Sequence, residues 1–175
     1  MKSTDEARSL LVKLGAPQRL FIHVGLVGEA AELLLAELQR LRVGHNADFV
    51  RIAVMLHDAG KILHPQELDE DGDEHERAGE ALLLAQGVDP AIARCCISHA
   101  RWAQMQCSLE ELVLALADTL WKGKRNAALE KRVIDLVAKS LGYGIWDLFS
   151  ELDNSFETIA ADSTTRLLRS ETTRA

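Results

Sequence analysis

Nearly every segment of the chain repeats its apolar residues at the spacing of one face of an α-helix, and this periodicity is what most constrains the fold. Apolar residues make up 47% of the 175 residues, but aromatic residues make up only 5%. Leucine and alanine, both strong helix formers, occupy many of the apolar positions. The sequence therefore predicts an all-α fold without a convincing strand.

Glycine, proline and capping residues divide this pattern into separate helices. Pro17 suits the first turn of a helix, and Gly60 is a stop signal for the helix that begins near Asp48. Ser108 and Glu111 have the spacing of a capping box. The predicted helices cover about 5–14, 17–41, 48–58, 75–86, 89–99, 108–121, 129–141 and 145–160.

Length and composition favour one domain. A chain of 175 residues can bury one substantial core, and no linker or repeat interrupts the helical pattern. We expect a single helical domain over residues 1–165 and a frayed, polar C-terminal tail over residues 166–175. The acidic segment 67–76 (ELDEDGDEHE) is the one compositional break, and we expect a solvated loop there.

The charge balance limits the classes of partner. Twenty Lys and Arg residues against 27 Asp and Glu residues give a net charge of -7, which argues against binding a nucleic acid polymer but not a small nucleotide. The N-terminal stretch lacks the apolar core of a signal peptide, and no apolar run reaches membrane-spanning length, so we expect a cytoplasmic protein without a membrane partner. Exposed helix faces are compatible with a homodimer.

The three cysteines form neither a disulfide framework nor a zinc-type pair. Cys95, Cys96 and Cys107 are therefore interpreted as reduced thiols. Cys95 lies one helical turn before His99, which leaves a ligand role open beside the simpler role of a small buried side chain.

Histidine and aspartate interrupt apolar helices at several places. His23 lies within RLFIHVGL, His57 and Asp58 close the helix in VMLHDAGKI, and Asp118 lies within LVLALADTLW. Buried carboxylates are costly unless they are paired or bound to a metal, and imidazole with carboxylate suits first-row transition metals. The pattern favours a metal site between helices.

The ordered set resembles the HD superfamily of metal-dependent phosphohydrolases over about residues 19–125. The residues that carry this resemblance are His23, His57, Asp58, His75, His99 and Asp118, in that order. The resemblance implies a single-domain helical bundle of the HD-domain type, with His23, His57, Asp58 and Asp118 as core metal ligands. It also implies that His75 and His99 are the additional ligands of a dinuclear subgroup, and that Asp58 bridges the two ions.

A finer resemblance covers the segment from His99 to Arg125. Met105, Asp118 and Arg125 stand where similar residues occur in bacterial symmetrical dinucleoside tetraphosphate hydrolases. The chain departs from that group after His99, where it has Ala100 instead of threonine, and at the acidic loop, which replaces an apolar-proline step.

These resemblances imply a hydrolase with two divalent transition metal ions, drawn from iron, manganese, zinc, cobalt and nickel. Metal-activated water would cleave a phosphomonoester, phosphodiester or phosphoanhydride bond of a small nucleotide-like substrate. Asp58, Lys61 and Arg125 are the predicted catalytic residues, with Lys61 matching the lysine of the HDxxK variant. Two alternatives stay open: an HD-fold diiron oxygenase, and a metal-binding regulatory module without turnover.

Several side chains near this set have two interpretations. Lys61 either assists at the phosphate or is a solvated residue past a helix end, and the basic residues from Lys122 to Arg125 either meet a phosphate or complement a helix C-terminus. Trp102 and Trp121 either stack on a base or pack against the core. His45 and His64 are expected at the surface.

Overall fold

The computed structural model describes residues 1–171, with side chains through residue 170, and confirms the all-α fold. Within these residues it has ten α-helices, three short 3-10 helices and no strand. The α-helices are α1 (Thr4–Lys13), α2 (Gln18–Arg40), α3 (Ala47–Leu56), α4 (Glu74–Ala85), α5 (Pro90–Ala93), α6 (Cys95–Arg101), α7 (Leu109–Leu120), α8 (Ala127–Leu141), α9 (Ile145–Ala161) and α10 (Ser163–Glu171). The 3-10 helices cover Ala59–Ile62, Pro65–Leu68 and Trp102–Gln104.

The predicted helix over 89–99 is in fact two helices. Asp89 accepts a hydrogen bond from the backbone N–H of Ala91 at 2.8 Å and starts the short helix α5. The helix is interrupted at Arg94, and α6 then begins at Cys95 and contains His99. By contrast, the predicted capping box at the start of α7 is confirmed, since Ser108 and Glu111 exchange both hydrogen bonds.

Helix α7 lies at the centre of the molecule. Six consecutive residues from Leu112 to Ala117 are buried, so all sides of this helix are covered. Helices α2, α3, α6, α8 and α9 contact it, and α2 also contacts α3. The larger apolar cluster joins α2, α3 and α7 to α8 and α9, while a smaller cluster joins α1 to α3, α5 and α6.

Gly60 follows α3 for a different reason from the predicted one. The helix ends at Leu56, and the glycines that have positive φ in the described chain are Gly15, Gly87, Gly123 and Gly142. A Cβ on Gly60 would lie 1.9 Å from the carbonyl oxygen of His75, so only glycine allows this contact. Gly60 therefore serves close backbone packing, not a left-handed helix cap.

The C-terminal segment is helical where the sequence predicted a frayed tail over 166–175. Arg166 is 3% exposed and donates to the carbonyl oxygen of Ile159 at 2.7 Å. Arg169 pairs with Glu29 on α2 at 2.5 Å. These contacts order residues 166–171 against the bundle, and residues 172–175 lie outside the described residues.

No helix in the part of the chain that the structure describes combines the length and the apolar character that crossing a bilayer requires.

Candidate metal centre

Asp58 lies at the centre of the six side chains that the sequence singled out. Its Oδ2 atom lies 3.0 Å from Nε2 of His23 and 3.7 Å from Nε2 of His57. Its Oδ1 atom lies 3.3 Å from Nε2 of His75 and 3.6 Å from Nε2 of His99. Each carboxylate oxygen therefore faces a different pair of histidines, which is the arrangement that a bridging ligand needs.

The ligand-type atoms fall into two groups that share Asp58. One group contains His23 and His57, and the other contains His75 and His99, with the ligand atoms of each group within 4.8 Å of one another. Asp118 adds a carboxylate to the first group, because its Oδ1 lies 3.6 Å from Nε2 of His23 and 3.9 Å from Nε2 of His57. The fold thus brings together all six predicted ligands from α2, the end of α3, α4, α6 and α7.

Backbone carbonyl groups orient two of the imidazole rings. Nδ1 of His57 lies 2.8 Å from the carbonyl oxygen of Val54, and Nδ1 of His99 lies 3.0 Å from that of Cys95. A carbonyl oxygen only accepts, so Nδ1 carries the proton and the Nε2 lone pair faces Asp58. A hydrogen bond to the nitrogen that faces away from the metal usually fixes the tautomer and the ring orientation of a metal-ligating histidine in this way.

Glu67 supports the ring of His75 in the same way, and sequence reasoning missed it. Its carboxylate contacts Nδ1 of His75 and accepts the backbone N–H of the same residue at 3.3 Å. Glu67 is 8% exposed and Glu76 is 4% exposed, so the acidic segment is not a purely solvated loop. Burial acts to lower the pKa of His75, but Asp58 and Glu67 outweigh it and raise that pKa.

Several buried polar atoms at this centre lack a hydrogen-bond partner among the described residues. They are Nε2 of His23, His57 and His75, together with Oδ1 of Asp58. Burying such groups unsatisfied is costly, and cations bound among them would satisfy them. The donor set of imidazole nitrogen and carboxylate oxygen fits a divalent transition metal.

The protonation states of His57, Asp58 and Asp118 also fit metal binding. Burial lowers the pKa of His57 to about 4, so its imidazole is neutral near pH 7. Burial alone would raise the pKa of the Asp58 and Asp118 carboxylates. His57 and His23 nevertheless hold the pKa of Asp58 well below its usual range. Lys122 and His23 help to lower the pKa of Asp118 to about 2. Neutral imidazole and ionised carboxylate are the forms that bind metals.

Two lysines reach this centre, but Arg125 does not. Nζ of Lys61 lies 2.7 Å from Oδ2 of Asp58, and Nζ of Lys122 lies 3.6 Å from Oδ2 of Asp118. Arg125 instead binds both carboxylate oxygens of Glu130, at 2.7 and 2.8 Å, and contacts Asp153. The geometry favours a structural contact for Arg125, whereas Lys61 lies beside the carboxylate of Asp58.

An open pocket of about 120 Å³ adjoins the first group of ligands. Trp121 stands edge-on to His23 with ring centroids 5.3 Å apart, and its Nε1 donates to Asp118 at 3.3 Å. Trp121 is 8% exposed and belongs to the larger apolar cluster, and the partly buried Trp102 packs against the same cluster. The side chains that line the pocket are Arg19, Ile22, His23, Lys61, Leu68, Trp121 and Ser170.

The remaining histidines and the cysteines lie outside the six-residue set. Nδ1 of His45 contacts the carbonyl oxygen of Val43 at 2.8 Å, and His64 lies 3.4 Å from the exposed Glu74. Cys95 and Cys96 are fully buried, and burial raises the pKa of Cys95 to about 12. Cys95 is therefore a protonated thiol near pH 7, which fits its interpretation as a buried packing residue.

A protein-family model described as HD domain matches residues 20–121 of the chain. The matched range covers more than half of the 175 residues and contains all six ligand-type side chains, but it ends before Arg125. No curated protein and no solved structure matches the chain.

Proposed function

Because the chain belongs to the HD-domain family, we propose that it is a metal-dependent phosphohydrolase that acts on a small, nucleotide-like phosphate ester or anhydride. One observation carries the proposal: the two oxygens of the buried Asp58 carboxylate face two separate pairs of histidine Nε2 atoms. A carboxylate in that position suits a bridge between two ions.

The six residues would hold two divalent transition metals. His23, His57 and Asp118 would serve one ion, His75 and His99 would serve the other, and Asp58 would serve both. Bound metals at such a site supply Lewis acidity that activates water and offsets the charge on phosphate oxygens.

The chain's own residues prepare the site for an anionic substrate. The contacts at Nδ1 of His57, His75 and His99 hold the imidazole rings in place before substrate binds. Lys61 lines the open pocket and lies beside Asp58, so its ammonium group can bind a phosphate oxygen next to the metal centre. This local positive charge matters because the whole chain carries a net charge of -7.

The proposed substrate class is narrower than phosphate esters in general. The resemblance of the His99–Arg125 segment to symmetrical dinucleoside tetraphosphate hydrolases supports a dinucleoside polyphosphate. The open side of the site is where a substrate would enter, since His23 and Asp118 retain 17% and 20% of their side-chain exposure.

Metal content and turnover together test the proposal. Protein purified without added metal is analysed for its elements and then assayed on an aryl phosphate and a nucleotide panel that includes dinucleoside polyphosphates. We expect about two metal ions per chain and phosphate release, with both lost in Asp58→Ala. Asp48→Ala removes an exposed aspartate at the other end of α3 and serves as the matched control.

The alternative outcomes are distinct. Bound iron with oxygen uptake and no phosphate release contradicts the proposal in favour of an oxygenase. Full metal occupancy without turnover on the panel contradicts it in favour of a regulatory module. Retention of both ions in His75→Ala and His99→Ala contradicts the dinuclear assignment alone.

A further inference from the structure

We infer that Arg19 is a substrate-binding residue for a second phosphate group, and that Asp69 occupies its guanidinium group until substrate arrives. The inference rests on the proposed function for the nature of the substrate. It concerns a residue outside the six-ligand set and outside the matched range of residues 20–121. Its basis is the position of Arg19 on the wall of the pocket beside His23.

Helix geometry places Arg19 and His23 on the same side of α2. The two residues are four positions apart in the first turns of the helix, so their side chains project from one face. Lys61 lines the same pocket, and its Nζ lies 2.7 Å from Oδ2 of Asp58. The pocket thus has two cationic side chains in its wall, next to the site where the metals are proposed to bind.

The size of the pocket indicates which part of a substrate enters it. Pockets for drug-sized ligands have volumes of about 300–1,000 Å³, whereas this one has about 120 Å³. A volume of that size admits a phosphate group but not a whole nucleoside. We therefore expect a polyphosphate chain to lie between Lys61 and Arg19, with the nucleoside portion beyond the rim.

The present partner of Arg19 is a carboxylate that resembles a phosphate in charge and geometry. Both terminal nitrogens of Arg19 contact the two carboxylate oxygens of Asp69, and Nη2 also approaches the carbonyl oxygen of Leu68 at 3.4 Å. The Arg19 and Asp69 side chains keep 34% and 49% of their exposure. An ion pair with this much exposure to solvent is weak. A guanidinium group binds phosphate through the same fork of hydrogen bonds.

The rest of the acidic segment is anchored elsewhere, so release of Asp69 need not unfold it. Glu67 is held by His75, and Arg101 binds both Glu76 and Asp73. Exchange of Asp69 for a phosphate oxygen at Arg19 is a local substitution of one anion for another. This accounts for an acidic segment next to a site for an anionic substrate.

Binding of methylenediphosphonate to the metal-loaded protein, measured by calorimetry, tests this inference without turnover, because this non-hydrolysable probe carries two linked phosphonate groups that can contact Lys61 and Arg19 together. We expect Arg19→Ala to weaken binding of the probe about tenfold, since a lost charged hydrogen bond costs that much. Asp69→Asn removes the competing carboxylate and should strengthen binding about threefold. In the double variant, the Asp69 change should have no effect, because the group it competes for is absent.

Two controls separate this role from simpler ones. Asp71→Asn removes an exposed charge from the same segment. This variant should bind the probe with an affinity within about twofold of wild type. Elemental analysis should show the same metal content in every variant. Because binding of the probe is measured directly, these results stand whether or not a phosphoester is hydrolysed.

The direction in which each single variant changes the affinity for the probe decides between the two explanations. If the Arg19–Asp69 pair only tethers the segment, both variants break the same contact and shift the affinity in the same direction, which overturns the inference. It is also overturned if Arg19→Ala changes the affinity by less than about twofold, or if the metal-loaded wild type does not bind methylenediphosphonate. By contrast, absence of hydrolysis on the nucleotide panel contradicts the proposed function and leaves the binding result intact.

Discussion

Gly60 and Gly79 contact each other backbone to backbone, and this contact brings His75 up to Asp58. A Cβ atom on Gly60 would lie 2.6 Å from the amide nitrogen of Gly79, and one on Gly79 would lie 2.9 Å from the amide nitrogen of Gly60. Helix α4 can therefore lie against the turn that follows Asp58. His75 on α4 reaches the carboxylate of Asp58 because neither glycine has a side chain.

Gly60→Ala should accordingly destabilise the protein and weaken metal binding. The added Cβ would overlap the carbonyl oxygen of His75, and a rigid backbone cannot relieve that overlap cheaply, so we expect a loss of about 3 kcal/mol or more in the free energy of unfolding. Urea denaturation of the metal-free protein measures it. Gly25→Ala is the control, since that helical position is open and the variant should gain about 0.5–1 kcal/mol. Equal effects of the two substitutions would contradict the close-packing explanation.

Glu67→Gln should weaken the metal group that contains His75. Loss of a carboxylate that supports a ligating histidine typically lowers metal affinity about 10- to 100-fold. Chelator titration should therefore remove one ion from the variant at a lower chelator concentration, while the other ion is held as in wild type. Glu70→Gln changes an exposed residue of the same segment and should titrate like wild type. Simultaneous loss of both ions would argue against a role confined to His75.

The helical pattern of the sequence predicted the all-α fold, and the resemblance to the HD superfamily implied the six residues that converge in the structure. The helical period of the apolar residues accounts for the fold, because each helix buries one face and α7 is covered on all sides. Polar residues that interrupt such faces stand out, as Asp58 and Asp118 do. These signals are local, so they can be read without knowledge of how the helices pack.

The features that sequence reasoning missed depend on contacts between distant segments. Glu67 precedes His75 across a loop, and no periodicity relates the two positions. Arg166 and Arg169 hold the C-terminal helix against the bundle. Arg166 contacts Ile159 on α9, and Arg169 contacts Glu29 on α2. Arg125 has the sequence position of a phosphate ligand, but the loop after α7 directs it toward Glu130. Packing decides each of these cases.

Lys61→Ala and Arg125→Ala should separate catalysis from stability. We expect Lys61→Ala to lower kcat about 100-fold, because it removes a cation beside Asp58, while the free energy of unfolding of the metal-loaded protein should change little, because bound metal would still pair with the Asp58 carboxylate. Arg125→Ala removes the cation that pairs with the buried Glu130 carboxylate, which should cost about 1–3 kcal/mol of stability while kcat stays within about twofold. Steady-state kinetics and urea denaturation of both variants measure the two effects. A large fall in kcat for a folded Arg125→Ala would restore that residue to the active site.

The carboxylate of Glu111, which lies outside the candidate metal centre, should make the stability of the protein depend on pH. Burial acts to raise its pKa, but the backbone N–H of Ser108 at 2.8 Å and the guanidinium of Arg94 at 2.9 Å outweigh it and lower the pKa below the usual 4.5. Its ionised form therefore stabilises the folded state above pH 4.5, and that contribution is lost as the pH falls through the lowered pKa.

Glu111→Gln isolates this charge, because glutamine can still close the capping box. We expect the variant to be less stable than wild type by about 1–2 kcal/mol at pH 7, and the difference to shrink as the pH falls below about 4.5. Thermal or urea unfolding of the metal-free proteins at a series of pH values measures it, and comparison with wild type cancels the titration of the metal ligands. Glu157→Gln, an exposed position on α9, should differ from wild type by less than about 0.5 kcal/mol throughout. A difference for Glu111→Gln that stays constant or grows on acidification would show that the Arg94 and Ser108 contacts do not act through the carboxylate charge.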